Sequence, residues 1–478
     1  MVDVSHSPLL SAIAAHACVT PEKIALVFAD HSVSYAQLIQ RIASAAALFQ
    51  QKGLRAGDTL AIKANKGLDF VYAYFGAQMI GVTNVVLDPD ANEKRLGYIL
   101  SLTRPKLMVG DADLIFVEGT EPAPPARPLS QDDVAEIVFT TGTTGAAKGV
   151  LLSHFNIFSS ADNINGFIGN GADEIEVLGL PICHSFGLGR LRCTLLKGAT
   201  MVIVPSFANL KFFFQAIEKY QATGFGMVPA VWAYIRKFSG TRIAKYAPQI
   251  KYIEIGSAAM PIESKKELCE LFPTTRICHH YGLTEASRST FMEFHECLKN
   301  DDLKTIGRET SDRVEIKIFS EDGIELADGE SGEICIKGNM VMKGYFKAEE
   351  TAKAYFGDYF RTGDEGYRGT NGNLYLVSRK KELINVGGKK VSPVEVEEAI
   401  IALGVEDCIV VGVPDPGQIL GEVPKCFVLK DATKLAFEEI RAALVGKLET
   451  YKIPALWDWI DVIPKTVSGK KQRLQLKV

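Results

Sequence analysis

A strand-like run, Ile137-Val138-Phe139, leads straight into Thr140-Thr141-Gly142-Thr143-Thr144-Gly145-Ala146-Ala147-Lys148-Gly149. The glycines free backbone N–H groups, four threonines add hydroxyl donors and Lys148 adds a positive charge, so the segment is suited to wrapping a polyphosphate. It is not a Walker A loop, because only Thr143 and Thr144 separate Gly142 from Gly145, and Gly149 follows the lysine. The sequence around it has a matching rhythm. From residue 33 to 100, helical stretches such as 35–51 alternate with strand-like runs such as 59–62, and the alternation resumes after Val134. The expected fold class is α/β, with parallel-rich sheets flanked by helices.

A chain of 478 residues that is 47% hydrophobic is too long for one compact unit and implies two or more domains. Its 53 basic and 57 acidic side chains leave a net charge of −4 without long like-charge blocks, which argues against capture of nucleic acid or anionic lipid. Nine cysteines, scattered without a C-x-x-C pair, speak against a disulfide framework or structural zinc and fit a reducing cytoplasm. Residues 1–19 are superficially leader-like, but Asp3 replaces the basic start and Ser11 and His16 interrupt the apolar run; Leu9, Leu10, Ile13 and Ala17 read as one helix face. No window reaches the roughly 20 apolar residues of a membrane helix.

Past Phe360 the texture changes. Gly363, Gly366, Gly369 and Gly372 followed by Arg379, Lys380, Lys381 and Glu382 read as a linker. Ser392-Pro393-x-Glu395 is a helix start, with Val396, Ala399, Ile400 and Leu403 on one face. Strands are expected at 408–413 and 425–429, and a second amphipathic helix through Phe437, Ile440, Leu444 and Leu448, making a small α+β tail domain.

Four further blocks follow in order: Tyr281-Gly282-Leu283-Thr284-Glu285, Arg361-Thr362-Gly363-Asp364, Arg379 with Lys381, and Pro464-Lys465-Thr466-Val467-Ser468-Gly469-Lys470. Taken alone, the first is equally a packed helix start, the second an ordinary turn, and the lysines a solvated tail with Lys471, Arg473 and Lys477. Together with the loop at 140–149, they closely resemble the signature motifs of the adenylate-forming superfamily of acyl-CoA synthetases, adenylation domains and luciferases. The resemblance runs along nearly the whole chain.

That resemblance implies a large domain at 1–378, a hinge at 379–381 turning on Lys381, and a mobile C-terminal lid at 382–478 carrying Lys470 as the catalytic lysine. It places Tyr281 and Gly282 against adenine, Thr284 on the α-phosphate, Glu285 on Mg²⁺, and Asp364 and Arg379 on the ribose. Pro181-Ile182-Cys183-His184-Ser185-Phe186-Gly187 resembles the family element whose histidine lines the acyl pocket, with Phe186 beside it. No aspartate stands between Pro181 and Leu191 to pair with an α-amino group. Gly256-Ser257-Ala258 resembles the small-residue strand end that leaves room for adenine and acyl chain, and His279 stands where relatives contact adenine. Cys278, His279 and His280 lack further spacing for a metal site. Departures are Ala147 where relatives often have Pro, no Pro after Gly307-Arg308-Glu309, and a short connection from Arg104 to Val138. Arg288 reads equally as a substrate-facing cation or a surface residue, and Phe186, Phe213, Phe225, Met227 and Trp232 as pocket wall or plain core.

The implied reaction has two halves. A small carboxylic acid and MgATP give acyl-AMP and pyrophosphate; the lid then turns, and Gly387 and Gly388 open a passage for the thiol of coenzyme A or of a carrier protein's pantetheine. A nucleotide-binding module without catalysis is the rival reading, against which the presence of both Glu285 and Lys470 counts.

Overall fold

The computed structural model describes residues 3–110, 119–140, 147–379, 382–387, 389–417, 420–466 and 469–477. The first helix, Pro8–Val19, is capped by Ser7, whose hydroxyl accepts from the Leu10 N–H, and it buries Leu9, Leu10 and Ile13 as expected. The helix Tyr35–Gln51 starts with a reciprocal capping box between Ser34 and Gln37. It crosses the helix Leu68–Met79 so closely that a Cβ on Gly76 would lie 2.7 Å from the Ala45 Cβ. Alanines on one helix and a glycine on the other permit that crossing. Leu38, Ile42 and Phe49 bury around it, each contributing about 1.5–3 kcal/mol.

These helices flank two large sheets. Leu107–Val109, Thr59–Lys63, Thr83–Leu87 and Val134–Phe139 lie side by side and parallel, continued by antiparallel Gly149–Ser153 and Gly344–Tyr345. In the second sheet, Arg276–Tyr281, Tyr252–Ile255, Gly224–Met227, Ile175–Leu178, Thr200–Ile203 and Ile24–Phe28 are parallel, and an antiparallel strand closes each edge. Strands such as Tyr252–Ile255 are buried at every position because both faces are covered.

The glycine-rich stretch after Phe360 is not the linker that its composition suggested. Tyr359–Arg368 and Leu374–Arg379 pair as an antiparallel hairpin, with Asp364 opposite Arg379, inside a third sheet that includes Val314–Phe319 and Gly332–Gly338. Its glycines serve geometry: Gly363 and Gly372 have φ of +72° and +79°, and a Cβ on Gly366 would lie 2.5 Å from the Tyr375 carbonyl oxygen.

From Ile384 onward the chain buries a separate apolar cluster that includes Ile384, Val396, Ile400, Val410, Val428 and Ile440. Ser392 caps the helix Pro393–Ile401 through the Glu395 N–H, and that helix packs on the strand Cys408–Pro414. The last helix ends at Leu444 rather than reaching Leu448. Gly446, at φ +83°, turns the chain, and Leu448 packs on the same cluster from beyond the turn. All nine cysteines are unpaired, and no helix among the described residues is long and apolar enough to cross a membrane.

A buried charge network ties the second sheet to what lies above it. Arg190, on the helix Ser185–Leu196, donates through Nε to Glu176 at 2.7 Å and through Nη1 to Glu254 at 3.0 Å. Tyr252 and Thr194 donate to the same Glu176 at 2.7 and 3.1 Å, and Arg288 Nε donates to Glu254 at 3.0 Å. Two guanidinium groups thus face two carboxylates with essentially no solvent access. Burial pushes the Glu254 carboxyl up, yet Arg288, Arg190 and His280 together hold it well below the usual carboxylate range. Removing one member leaves an uncompensated buried charge. Arg190→Ala should therefore lower unfolding stability by about 3–5 kcal/mol, read as a shift in urea midpoint, whereas Lys266→Ala in an exposed pair should barely move it.

Candidate active site

A cavity of about 370 Å³ opens above the sheets. Asp88 follows the strand Thr83–Leu87, Thr140 follows Val134–Phe139, Ser257 follows Tyr252–Ile255, and Thr284 follows Arg276–Tyr281. These four wall residues therefore stand just past the carboxyl ends of strands, the position where α/β sheets bind ligands. His184, Ser185 and Phe186, at the start of the helix Ser185–Leu196, form another wall, and Lys465, Thr466 and Lys470 close it from the C-terminal segment.

The loop carrying Lys470 is a hairpin. Lys465 pairs with Lys471 across an antiparallel bridge, the Thr466 N–H donates to the Lys470 carbonyl at 2.8 Å, and the Lys470 N–H donates to Thr466 Oγ1 at 3.1 Å. Its flanking cations are not a solvated tail. Lys465 binds Asp407 at 2.6 Å, Lys471 binds Glu397 at 2.9 Å, Arg473 binds Glu382 at 2.7 Å and Lys477 binds Glu422 at 2.8 Å. Lys470 instead lines the cavity, close enough to join Arg95 in lowering the His184 pKa, which burial depresses most and Asp88 partly restores. His184 is thereby neutral at neutral pH. Gly469 lies against the helix Pro229–Ser239, since a Cβ there would lie 3.1 Å from the Ala230 Cβ.

On the nucleotide side, Tyr281 donates through its hydroxyl to Asp364 Oδ2 at 2.7 Å, joining two blocks that lie 83 residues apart. Glu285 is 9% exposed and accepts from the Tyr345 hydroxyl at 2.8 Å, while the Lys148 ammonium sits 4.4 Å from the centre of the Tyr345 ring. Tyr345 thus links the phosphate loop to the Tyr281 block, a role that no motif in the sequence signalled. The ends of the phosphate loop are tied where the Thr140 N–H donates to the Lys148 carbonyl at 3.0 Å. Thr141, Gly142, Thr143, Thr144 and Gly145 lie outside the described residues, as do Lys381 and Gly388.

His279 shares a 3.1 Å hydrogen bond with the Ala258 carbonyl, and burial pushes its pKa down to about 3. The room expected above Gly256 is filled, because a Cβ there would lie 2.0 Å from the His280 ring. His280 Nδ1 in turn lies 2.8 Å from Glu254. Arg288 is 2% exposed, so it is no surface residue. Besides Glu254, it donates to the carbonyls of Ser185 and Phe186 at 3.1 and 3.0 Å, and to Ser287 Oγ at 3.2 Å. Ser257 and Arg288 both have left-handed backbones, at φ +71° and +53°, strain that each costs roughly 1–3 kcal/mol and collects at functional sites.

Of the five apolar candidates only Phe186 lines the cavity; Phe213, Phe225, Met227 and Trp232 belong to the core. Gly387, at φ +58°, packs against Leu420 within the C-terminal segment and does not border the cavity as it stands. Asp88 went unnoticed in the sequence, although a carboxylate directly after an apolar strand was a usable signal. Its oxygen, the Cys183 thiol and a His184 nitrogen lie within 4.8 Å of one another, and burial, aided by Asp88, pushes the thiol up to about 12.

Comparison with known proteins gives this geometry a family. Residues 13–346 match the model of the AMP-binding enzyme and residues 395–470 that of the AMP-binding enzyme C-terminal domain. The chain is 31% identical to a long-chain-fatty-acid–CoA ligase of Bacillus subtilis, covering 95% of this chain and 91% of that one. It is 27% identical to a 2-succinylbenzoate–CoA ligase of Bacillus licheniformis, covering 96% and 97%. Among solved structures, o-succinylbenzoate CoA synthetase from Bacillus subtilis with its acyl-adenylate superposes with a TM-score of 0.88 at 26% identity, covering 98% of both chains. The same enzyme has been solved with ATP and a magnesium ion, and it superposes with a TM-score of 0.87 at 26% identity over 97% of this chain and 98% of that one. The chain belongs to the AMP-binding enzyme family, with the large and the C-terminal regions of that family both present.

Proposed function

We propose that the protein is an AMP-forming acid–thiol ligase that converts a carboxylic acid to its acyl-AMP and then to a thioester of coenzyme A. The observation that carries this reading is the meeting of Lys470, Thr284, Thr140 and His184 around one cavity, although they come from four distant parts of the chain. The CoA ligases among its relatives support the acceptor. The unpaired cysteines suit a cytoplasmic setting.

In the first half-reaction a carboxylate oxygen attacks the α-phosphorus of ATP, a C–O–P linkage forms, and the bond to the β-phosphate breaks as pyrophosphate leaves with its electron pair. Two anions must approach each other, and the Lys470 ammonium, touching both the carboxylate and the α-phosphate, offsets their repulsion with little reorganisation. Thr284 donates its hydroxyl to the α-phosphate. Thr140, Lys148 and the intervening loop hold the departing phosphates. Asp364, oriented by Tyr281, accepts the ribose hydroxyls together with Arg379; the Tyr281 ring and Gly282 face adenine, with Gly256, Ser257, Ala258 and His279 behind it. His184 and Phe186 border the acid.

Glu285 and Thr284 offer oxygen donors of the hard type that Mg²⁺ takes, so this chain fits the ion on chemical grounds. Bound there, Mg²⁺ would neutralise phosphate charge. Tyr345 orients Glu285 through the 2.8 Å bond from its hydroxyl. For the second half-reaction the lid domain, from residue 382, turns about a hinge at 379–381 with Lys381 at its pivot. This withdraws Lys470 and brings Gly387 and Gly388 to the cavity as a passage for the thiol, whose sulfur attacks the acyl carbonyl while AMP departs.

Lys470→Ala should cut acid-dependent pyrophosphate release by about 100- to 1,000-fold while sparing thioester formation from supplied acyl-AMP. Equal loss in both steps would refute the division of labour between the two arrangements. Asp364→Ala should raise the KM for ATP about tenfold and leave the KM for the acid unchanged, measured by initial rates with each substrate varied. Release that is acid-dependent but indifferent to coenzyme A would redirect the acceptor to a carrier protein.

A further inference from the structure

We infer that the acid is short and carries a second oxygen function near its reacting carboxylate, as a hydroxy, oxo or dicarboxylic acid does; this rests on the adenylation reading above. A long alkyl chain needs an apolar channel leading away from the reacting end. Three glycines lie against side chains that line the cavity: Gly189 against Arg288, Gly226 against Phe186 and Gly256 against His280. None leaves room beyond a methyl group. A Cβ on Gly256 would lie 2.0 Å from the His280 ring, one on Gly189 would lie 2.4 Å from Arg288 Nη1, and one on Gly226 would already touch Arg190, Leu180 and Phe186 at 3.4 Å.

The side chains that fill these spaces cannot swing aside cheaply. Arg288 is bound to Glu254, to the Ser185 and Phe186 carbonyls and to Ser287. Arg190 is bound to Glu176 and Glu254 beneath it. The His280 ring stands edge-on to Phe186, with ring centres 4.8 Å apart. Moving any of them would separate buried charges from their partners.

The remaining acyl-side wall is rich in hydrogen-bonding groups. Ser185 and Ser287 contribute hydroxyls, and His280 its imidazole, beside Phe186 and Leu283. His280 Nδ1 lies 2.8 Å from the Glu254 carboxylate, and the imidazole donates or accepts according to its tautomer, so it can serve a hydroxy, oxo or carboxylate oxygen. A hydrocarbon chain pressed against this wall would remove water from these groups and return no hydrogen bond. An oxygen function on the acid restores those bonds and is selected for that reason.

The test is kcat/KM for pyrophosphate release with MgATP and coenzyme A. The acids are 3-hydroxybutanoate, acetoacetate, malonate and succinate, set against butanoate, octanoate, dodecanoate, hexadecanoate and benzoate. The best oxygenated acid should exceed butanoate and dodecanoate by about 100-fold. His280→Ala should lower kcat/KM for that acid at least about tenfold and raise it for octanoate by opening the space above Gly256. A thermal shift with MgATP confirms that the variant is folded. Preference for an alkanoate or benzoate, or a His280→Ala enzyme with unchanged acid selectivity, would overturn the inference while leaving adenylation intact. Absence of acid-dependent release across the whole panel would instead count against the adenylation reading itself.

Discussion

Glu254 is the residue on which most of the site's geometry converges. It sits in a central strand, and its carboxylate binds Arg190 from the helix after His184, Arg288 from the segment after the Tyr281 block, and His280 from the neighbouring strand. One buried anion therefore fixes the mutual position of three pieces of chain that border the cavity. Such a group is costly to bury, and it persists only because its partners surround it and are themselves satisfied by Glu176, Tyr252 and backbone carbonyls. The Arg288, Arg190 and His280 groups around it hold the carboxyl well below the usual carboxylate range against the effect of burial.

A second constraint acts from the other side. The hairpin with Lys470 hangs from the C-terminal domain by ion pairs to Asp407, Glu397 and Glu382. These pairs use Lys465, Lys471 and Arg473, so the neighbouring cations build the hairpin while Lys470 reaches the cavity. Toward the helix Pro229–Ser239 the hairpin approaches at Gly469, where a Cβ would lie 3.1 Å from Ala230. Anchorage of the neighbouring cations within their own segment fits the proposed turn of the lid, in which Lys470 is presented and later withdrawn.

The elements that the sequence disclosed are those governed by local physics. The helical stretch at 35–51, the Ser392 cap and the apolar faces of Pro8–Val19 and Pro393–Ile401 depend on neighbours a few residues away, and their positions hold. The hairpin at 359–379 was misread because glycine clusters mark linkers and tight sheet turns alike, and only the pairing of Asp364 with Arg379 separates the two. Tyr345 was invisible for a similar reason: a lone tyrosine carries no spacing, and its value comes from Glu285 and Lys148 brought to it by the fold.

Glycine shows most clearly where local reading ends. A small residue at a strand end suggests room for a ligand, and for an isolated motif that is sound. Gly256 and Gly189 are nevertheless small because His280 and Arg288 need the space, and both of those side chains are placed by Glu254. The same missing side chain can thus mean an open pocket or a filled one, depending on a carboxylate elsewhere in the sheet. In this family member, the charge network beneath the pocket holds the side chains that fill the space above Gly256 and Gly189.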